Sequence, residues 1–371
     1  MKCRCSHARG WARICRATVL VYSIEFGITY EVHAQAVSRD VELGHYFTIV
    51  QSYRAGRIDE AKRLVAAYDP DQLTVLLRQL RQMRSALHKN DPVPTASGWT
   101  LTSIAGAALL HVEIALTTSN ESGEAHLLMS RKLIDILEDA RSVSTSVRLK
   151  LSLAVEYQLH RRWRLFEAAA YVKELKKTFP RAPELLLAEG LVHEAFASTK
   201  IHSARRDERL PSVEQTMRNA ARSYSQALEM DSRLEEARVR LGHVLAGLGN
   251  STEALAQLTE VRNSGSEPHL LYLAALFTAA AHQQERRSAQ AVREFYEALR
   301  LYPEAYAPRM GLVHEFQARG DTDRARQLVD SVLAKDLAAT QEQTDPWRTY
   351  DFGQFWRIDR VIESLRRELK R

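Results

Sequence analysis

Four alanines recur at a nearly constant spacing in the second half of the sequence, and this spacing limits the fold more than any other feature. Ala220, Ala254, Ala291 and Ala325 are separated by 34, 37 and 34 residues. A bulky apolar residue follows each alanine after four residues and a smaller one after seven: Tyr224, Leu258, Phe295 and Val329, then Ala227, Val261, Ala298 and Val332. A period of this length predicts an array of helix pairs, each packing on its neighbours.

The composition favours an all-α chain. Hydrophobic residues make up 45% of the 371 residues and charged residues 26%, which is ordinary for a globular protein. Glycine is sparse, and the strand-like alternation of apolar and polar residues is nearly absent. Apolar period and helix breakers predict helices near 40–55, 58–67, 70–88, 101–117, 124–140, 143–160, 162–178, 183–198, 213–230, 235–248, 251–263, 268–284, 287–301, 305–319, 321–335 and 346–368.

Further residues of the repeated segments fit a known pattern. Leu241 and Gly242 stand on a first helix, and Gly249 and Gly320 stand at the turns that follow first helices. Second helices carry a small residue, an aromatic residue and another small residue, and one ends in proline: Ala220-Tyr224-Ala227, and Ala291-Phe295-Ala298 with Pro303. These segments resemble the tetratricopeptide repeat, a 34-residue pair of antiparallel helices.

The resemblance runs from about Val213 to Lys335, with half-repeats at 53–64 and 180–190. The segment 199–211 is then an insertion within one repeat. Departures from the family pattern are Ser232 for the closing proline, Arg238 and Arg309 for tryptophan, and Val313 for the first-helix glycine. The resemblance implies a right-handed superhelical solenoid, and it extends to uncharacterised secreted bacterial repeat proteins.

Four regions are predicted from these patterns. Residues 1–36 combine a basic start, an apolar stretch and the ending "HAQA", which is typical of a signal peptide. Residues 37–180 form an N-terminal helical region with degenerate repeats, 181–340 carry the clear repeats, and 341–371 form a linker and a capping helix. The chain is therefore expected to be exported in a bacterium, periplasmic or secreted, and to be cytoplasmic if the start is not a signal.

No catalytic, cofactor or metal site is predicted. All three cysteines lie in the leader, and no zinc, phosphate-binding or nucleophile motif occurs. The sequences His193-Glu194 and His314-Glu315 lack a second histidine four residues on, and the pair Glu235-Glu236 is interpreted as solvated charge beside Arg238 and Arg240. The predicted function is that of a non-catalytic scaffold.

Partner binding is expected on the first helices, because the resemblance implies a concave groove there. The positions carried over from the family are Val239, His243, Met310 and His314. The implied partner is a protein or peptide, with no membrane span after cleavage of the leader. A second candidate is the aromatic cluster Trp347, Tyr350, Phe352, Phe355 and Trp356, interpreted as part of a cap on the last repeat.

Two alternatives stay open. An RNA-binding helical repeat would need a basic groove, whereas Val239, His243, Met310 and Leu187 are not basic, and the net charge of +6 falls to about +3 without the leader. An enzyme would have its site in region 70–180, where the distinctive residues are Trp99, His111, His160 and Trp163. We interpret these four as packing residues.

Overall fold

The computed structural model of the chain describes residues 43–89, 98–138, 140–198, 210–264, 267–336, 345–351 and 358–370. The predicted leader, 1–36, lies outside these residues. The helices, numbered in chain order, are α1 (43–54), α2 (Ile58–Ala66), α3 (Pro70–Gln82), α4 (Arg84–Lys89), α5 (Leu101–Thr117), α6 (Glu121–Ile136), α7 (Thr145–Arg161), α8 (Leu165–Thr178), α9 (Pro183–Ala197), α10 (Val213–Met230), α11 (Glu235–Gly247), α12 (Ser251–Asn263), α13 (Pro268–Gln284), α14 (Ser288–Leu301), α15 (Tyr306–Ala318), α16 (Thr322–Asp336), α17 (Pro346–Asp351) and α18 (Ile358–Leu369).

The prediction of an all-helical, tetratricopeptide-like solenoid is confirmed, because helices adjacent in sequence pack on one another. The chain divides into unit 1, residues up to Arg148 with Arg366–Arg371, and unit 2, Leu149–Leu365. The pair α7 and α8 thus falls largely in unit 2, ahead of the predicted start of the repeats at 181. The predicted region boundaries themselves stay predictions.

Three predicted helix bounds need correction. The predicted helix 70–88 is interrupted at Met83 and becomes α3 and α4. The helix predicted from 124 begins at Glu121, because the Asn120 side chain accepts from the backbone N–H of Gly123 and caps it. The helix predicted over 346–368 is described as α17 and α18, and 352–357 between them lie outside the described residues.

One turn geometry joins the two helices in five of the described pairs. Gly249 has φ +83°, its N–H donates to Ala246 O at 2.9 Å, and the next N–H, of Asn250, donates to Leu245 O at 2.9 Å. These two bonds form a Schellman motif, which satisfies carbonyls at the end of a helix. The same two bonds and a positive φ recur at Gly56, Trp163, Arg286 and Gly320.

Two of these turns carry a residue other than glycine, and at Trp163 the helix pair is not recognisable in the sequence. Trp163 and Arg286 both have φ 57°, a left-handed conformation that glycine adopts at lower cost. A fully buried alanine follows each after five residues, namely Ala168 and Ala291, as Ala254 follows Gly249. Region 70–180 therefore contains one further helix pair, α7 and α8, for which the sequence analysis found no repeat.

Small residues set the distance between packed helices. A Cβ on Gly242 would lie 2.6 Å from Leu258 Cγ, and a Cβ on Gly311 would lie 2.2 Å from Phe295 Cζ. The first contact lies within one pair, α11 and α12, and the second lies between two pairs, because Phe295 belongs to α14 and Gly311 to α15. The small repeat positions are buried within these contacts: Ala220, Ala227, Ala254, Ala291 and Ala298 are 0% exposed, Ala325 is 3% exposed, and Leu241 is 5% exposed.

The two arginines at the family's tryptophan position have a shared structural contact. Arg238 Nη2 donates to Ser232 O at 2.9 Å, and Arg309 Nη2 donates to Pro303 O. Each guanidinium therefore binds a carbonyl six residues earlier, in the connection before its own helix. Ser232 and Pro303 stand at equivalent positions, so this contact repeats with the helix pairs.

Among the described helices, none has the length and apolar character to cross a membrane.

Candidate binding site on the first-helix face

The candidate site lies where successive first helices of unit 2 meet a segment of the same chain. We call the surface shared by α9, α11, α13 and α15 the first-helix face, and residues 345–351, which include α17, the docked segment. A single side chain, Tyr350, contacts Glu194 of α9, His243 of α11 and Phe277 of α13. These three helices therefore present one continuous surface to the docked segment.

Glu194 is the centre of the site. Its Oε2 accepts from Tyr224 Oη at 2.7 Å and from Arg240 Nη1 at 3.2 Å. Its Oε1 lies 2.8 Å from His243 Nδ1 and accepts from Tyr350 Oη. Burial alone would raise the pKa of this carboxyl, but the His243 hydrogen bond and the Arg240 charge outweigh it and lower the pKa to about 2.

Arg240 places a cation beneath the docked segment. It is 2% exposed, its Nε donates to Glu236 Oε1 at 3.0 Å, and its Cζ lies 4.2 Å from the Tyr350 ring centroid. Its Nη2 is buried and has no hydrogen-bond partner among the described residues. The interpretation of Glu236 and Arg240 as solvated charge is therefore wrong, because four residues apart on one helix they pair inside the protein.

The Asp345 carboxylate satisfies the start of two helices. Its Oδ2 accepts from the N–H groups of Tyr306 and Ala307 at 2.8 and 3.0 Å, and its Oδ1 accepts from the Trp347 N–H at 2.9 Å. The first two N–H groups belong to α15, whose N-cap residue, Ala305, has no side-chain oxygen. Tyr272 Oη also donates to Oδ1 at 2.6 Å. An anion held at helix N-termini is stabilised by both helix dipoles.

Aromatic rings complete the contact. The Tyr350 ring is stacked on Trp347 at 5.5 Å and lies edge-on to Phe277 at 5.0 Å, while His243 stacks on Phe277 at 4.4 Å. The interpretation of this cluster as a cap on the last repeat is wrong for Trp347 and Tyr350, because their rings pack on α11 and α13. Phe352, Phe355 and Trp356 lie outside the described residues.

The C-terminal helix also differs from the predicted cap. Within unit 2, Ile358 and Val361 of α18 line a cleft of about 60 Å³ with Leu153, Tyr157 and Leu187 of α7 and α9. Lys150 Nζ donates to Ser364 Oγ at 2.9 Å. This part of α18 packs on the first helices of the first two pairs of the unit rather than on the last pair, because its apolar stripe meets an apolar surface of α7 and α9 there.

The four predicted partner-binding residues have different environments. Val239 is 1% exposed within the core formed with α13, so it has no surface for a partner and that assignment is corrected. His243 is engaged by Glu194 and the docked segment. Met310 is half-buried, and the His314 side chain is 73% exposed. Leu187, considered for the groove as well, is 2% exposed.

The residues considered for an enzyme site fall in two units: Trp99 and His111 both lie beside Tyr46 in unit 1, and His160 and Trp163 lie at the end of α7 in unit 2. In unit 1, His111 Nε2 lies 2.8 Å from Tyr46 Oη, and His111 Nδ1 lies 2.6 Å from His126 Nδ1. Burial lowers the pKa of both histidines, that of His126 to about 4. Trp99 is buried beside Tyr46. In unit 2, His160 is 3% exposed, and Trp163 occupies the turn after α7.

Sequence reasoning missed Glu194, Arg240 and Asp345. The one local signal was the spacing of four residues between Glu236 and Arg240 on one helix. Asp345 and Tyr350 lie more than 100 residues from Glu194 and His243, respectively, and no spacing rule connects them.

Comparisons with known proteins give structural likeness only. No family model matches the chain, and no curated protein matches it. Solved structures similar to the chain include a double mutant of MamA RS-1, with a TM-score of 0.41 and 17% identity over 54% of this chain and 99% of that one. Another is an IFIT1 monomeric mutant with Gppp-AAAA, with a TM-score of 0.40 and 13% identity over 75% of this chain and 67% of that one. A third is the APC/C hetero-tetramer Cut9–Hcn1 (0.32, 16%, 86% and 63%). At these TM-scores we base no functional argument on the likeness.

Proposed function

We propose that the chain is a non-catalytic scaffold that binds a protein partner through the first-helix face of unit 2. The observation that supports this proposal is that the face already holds a peptide segment, residues 345–351, by contacts specific for side chains. A carboxylate, a tyrosine hydroxyl and stacked rings each meet a matching group on the face. A surface that recognises one segment in this way is suited to recognising a segment of another protein.

The same face continues beyond the docked segment on α15. His314 is exposed there, and Met310, four residues earlier on the same side of the helix, is half-buried. The polar groups beneath the docked segment are occupied with one another, as Glu194 is with Tyr224, Arg240 and His243. This arrangement supports a binding role over a catalytic one.

Affinity capture from the source organism tests the proposal. The bait is the full chain, either unchanged, with Met310→Ala and His314→Ala together, or with Tyr296→Ala. Tyr296 is 51% exposed on the second helix α14 and serves as the matched control. We expect a protein that is retained by the unchanged chain and the Tyr296 variant and lost by the double variant. Recovery of RNA in its place, or a protein retained equally by all three baits, contradicts the proposal.

Export of the chain is a separate part of the proposal. It rests on the pattern of residues 1–36 alone. N-terminal sequencing of the protein from the source organism tests it, with a mature start at Val37 as the expected result. A start at Met1 would place the chain in the cytoplasm.

A further inference from the structure

Three side chains of the docked segment, one acidic and two aromatic, contact matching groups on the first-helix face. The Asp345 carboxylate binds the N-terminus of α15. Trp347, two residues after Asp345, packs edge-on against Phe277 at 5.8 Å, and the hydroxyl of Tyr350, five residues after Asp345, reaches Glu194. These positions correspond to Asp-x-Trp-x-x-Tyr, within the sequence "DPWRTYD". The face is therefore specific for an acidic group followed by aromatic residues.

The docked segment itself is a short element. Its helix, α17, has six residues, and of the residues 345–350 only Asp345, Pro346 and Tyr350 are buried. Arg348 is exposed, and Trp347 and Thr349 are half-buried. An element with so few buried side chains opens at a lower free energy than the helix pairs beneath it.

The site also has one hydrogen-bond donor that the docked segment does not use. Arg240 Nη2 is buried against the Tyr350 ring without a partner among the described residues. Its other nitrogens are paired with Glu236 and Glu194. A segment that brings a carbonyl or carboxylate oxygen to Nη2 gains a hydrogen bond to a charged group that the chain's own segment lacks.

From these three observations, and resting on the proposed function, we infer that residues 345–351 are an internal competitor for the partner. The partner carries a carboxylate followed two and five residues later by aromatic residues, the last with a hydroxyl. Its segment displaces the docked segment from Glu194, His243 and Phe277. Binding is then limited by the internal segment, which acts at a high effective concentration.

A peptide in trans tests this inference. The probe is fluorescein-labelled, acetylated DPWRTYD, and its binding to the full chain is measured by fluorescence anisotropy. The chains are the unchanged protein, Tyr350→Ala, and Tyr296→Ala as the matched tyrosine control. We expect Tyr350→Ala to bind the peptide at least about 10-fold more tightly than the other two, because the internal competitor is weakened.

Two altered peptides check the specificity. Replacing the first Asp by Asn, or the Tyr by Phe, is expected to weaken binding to the Tyr350→Ala chain about 10-fold, because each change removes a charge-assisted hydrogen bond. If Tyr350→Ala does not fold by circular dichroism, Tyr350→Phe replaces it. That variant keeps the ring and removes only the hydroxyl, and we expect a smaller gain in the same direction.

Equal affinity of all chains, or no binding to a folded Tyr350 variant, overturns the inference. Equal binding of the altered peptides overturns it as well. The peptide experiment and the capture experiment test different claims. The proposed function is tested by whether a captured protein depends on Met310 and His314. If a captured partner depends on Met310 and His314 but the peptide does not bind the Tyr350→Ala chain, the scaffold function is supported and the internal competitor is contradicted.

Discussion

Two repeats of unit 2 carry histidine at the same register, and their surroundings differ. On α11 the His243 side chain is 32% exposed, lies 2.8 Å from Glu194 and stacks on Phe277. On α15 the His314 side chain is 73% exposed, and its neighbour Glu315 is buried against Gln283 and Ser288. Equivalent repeat positions thus have a covered and an open environment: His243 is enclosed by α9, α13 and the docked segment, whereas His314 lies on the first helix of the last repeat.

The largest expected effect is a difference in stability between variants of two carboxylates: Glu194, which lies beside the covered His243, and Glu315, which follows the open His314. Glu194→Ala leaves the buried Arg240 without one of its two carboxylates, which typically costs about 3–5 kcal/mol of unfolding free energy. Glu315→Ala removes an acceptor from neutral partners, so we expect about 1–3 kcal/mol. Urea denaturation of both variants measures these losses of unfolding free energy. Equal losses would mean that the Glu194 cluster is no more than a surface ion pair.

The next effect is a loss of stability at acidic pH that depends on His160, a buried histidine of α7. Burial, with the nearby Arg240 charge, lowers the pKa of His160 to about 4 from its ordinary 6.5. The unfolded chain then binds the proton more tightly, so this stability is present above pH 6.5 and is lost as the pH falls towards 4, by up to about 1.4 kcal/mol per pH unit.

Thermal melts of the unchanged chain, His160→Gln and His314→Gln from pH 7 to pH 4 check this prediction. We expect the His160 variant to lose less stability over this range than the unchanged chain. The exposed His314 serves as the control, whose replacement should leave the pH dependence unchanged. An identical pH dependence of all three chains would show that His160 is not held neutral.

A third effect tests the close packing of helices within the pair α11 and α12 and between α14 and α15 of neighbouring pairs. Gly242→Leu and Gly311→Leu place a side chain within 2.6 Å of Leu258 and 2.2 Å of Phe295, respectively. Overpacking of this kind costs about 1–3 kcal/mol. Gly44→Leu is the control, because its Cβ would have no atom within 4 Å. If the Gly311 variant melts like the unchanged chain, the close approach of α14 and α15 is not as described.

The smallest effect concerns the histidines themselves. His243→Ala removes a hydrogen bond to a charged partner and a ring contact, and we expect a loss of about 1–2 kcal/mol. His314→Ala changes an exposed residue and is expected to stay within about 0.5 kcal/mol. Denaturant midpoints of the two variants measure the contrast. A reversed order would show that the docked segment does not cover His243.

The fold was largely predictable because helix breakers and small residues have local causes. Gly249 and Gly320 gave two turns directly from the sequence, since a left-handed conformation favours glycine. Trp163 and Arg286 adopt the same turn without glycine, so the pattern was lost at α7 and α8. Gly311 makes a close contact with Phe295 of the preceding pair, a contact between pairs that local spacing did not show.

The candidate site was less predictable because its groups come from distant parts of the chain. His243 was found through its repeat register, and Tyr350 through the aromatic cluster, but nothing local linked them. Asp345 caps a helix that begins 39 residues before it, at Tyr306. Contacts of this kind depend on where the chain folds back, which period and composition do not determine.

A double-mutant cycle between Tyr350 and Glu194 tests the central claim most directly. Unfolding free energies are measured for Tyr350→Phe, Glu194→Gln and the double variant, with Tyr296→Phe replacing the first change in a parallel control cycle. If the docked segment binds the first-helix face as described, the two sites are coupled by about 1.5–3 kcal/mol, whereas the control cycle is additive. Additivity within about 0.5 kcal/mol in the Tyr350 cycle would contradict the account.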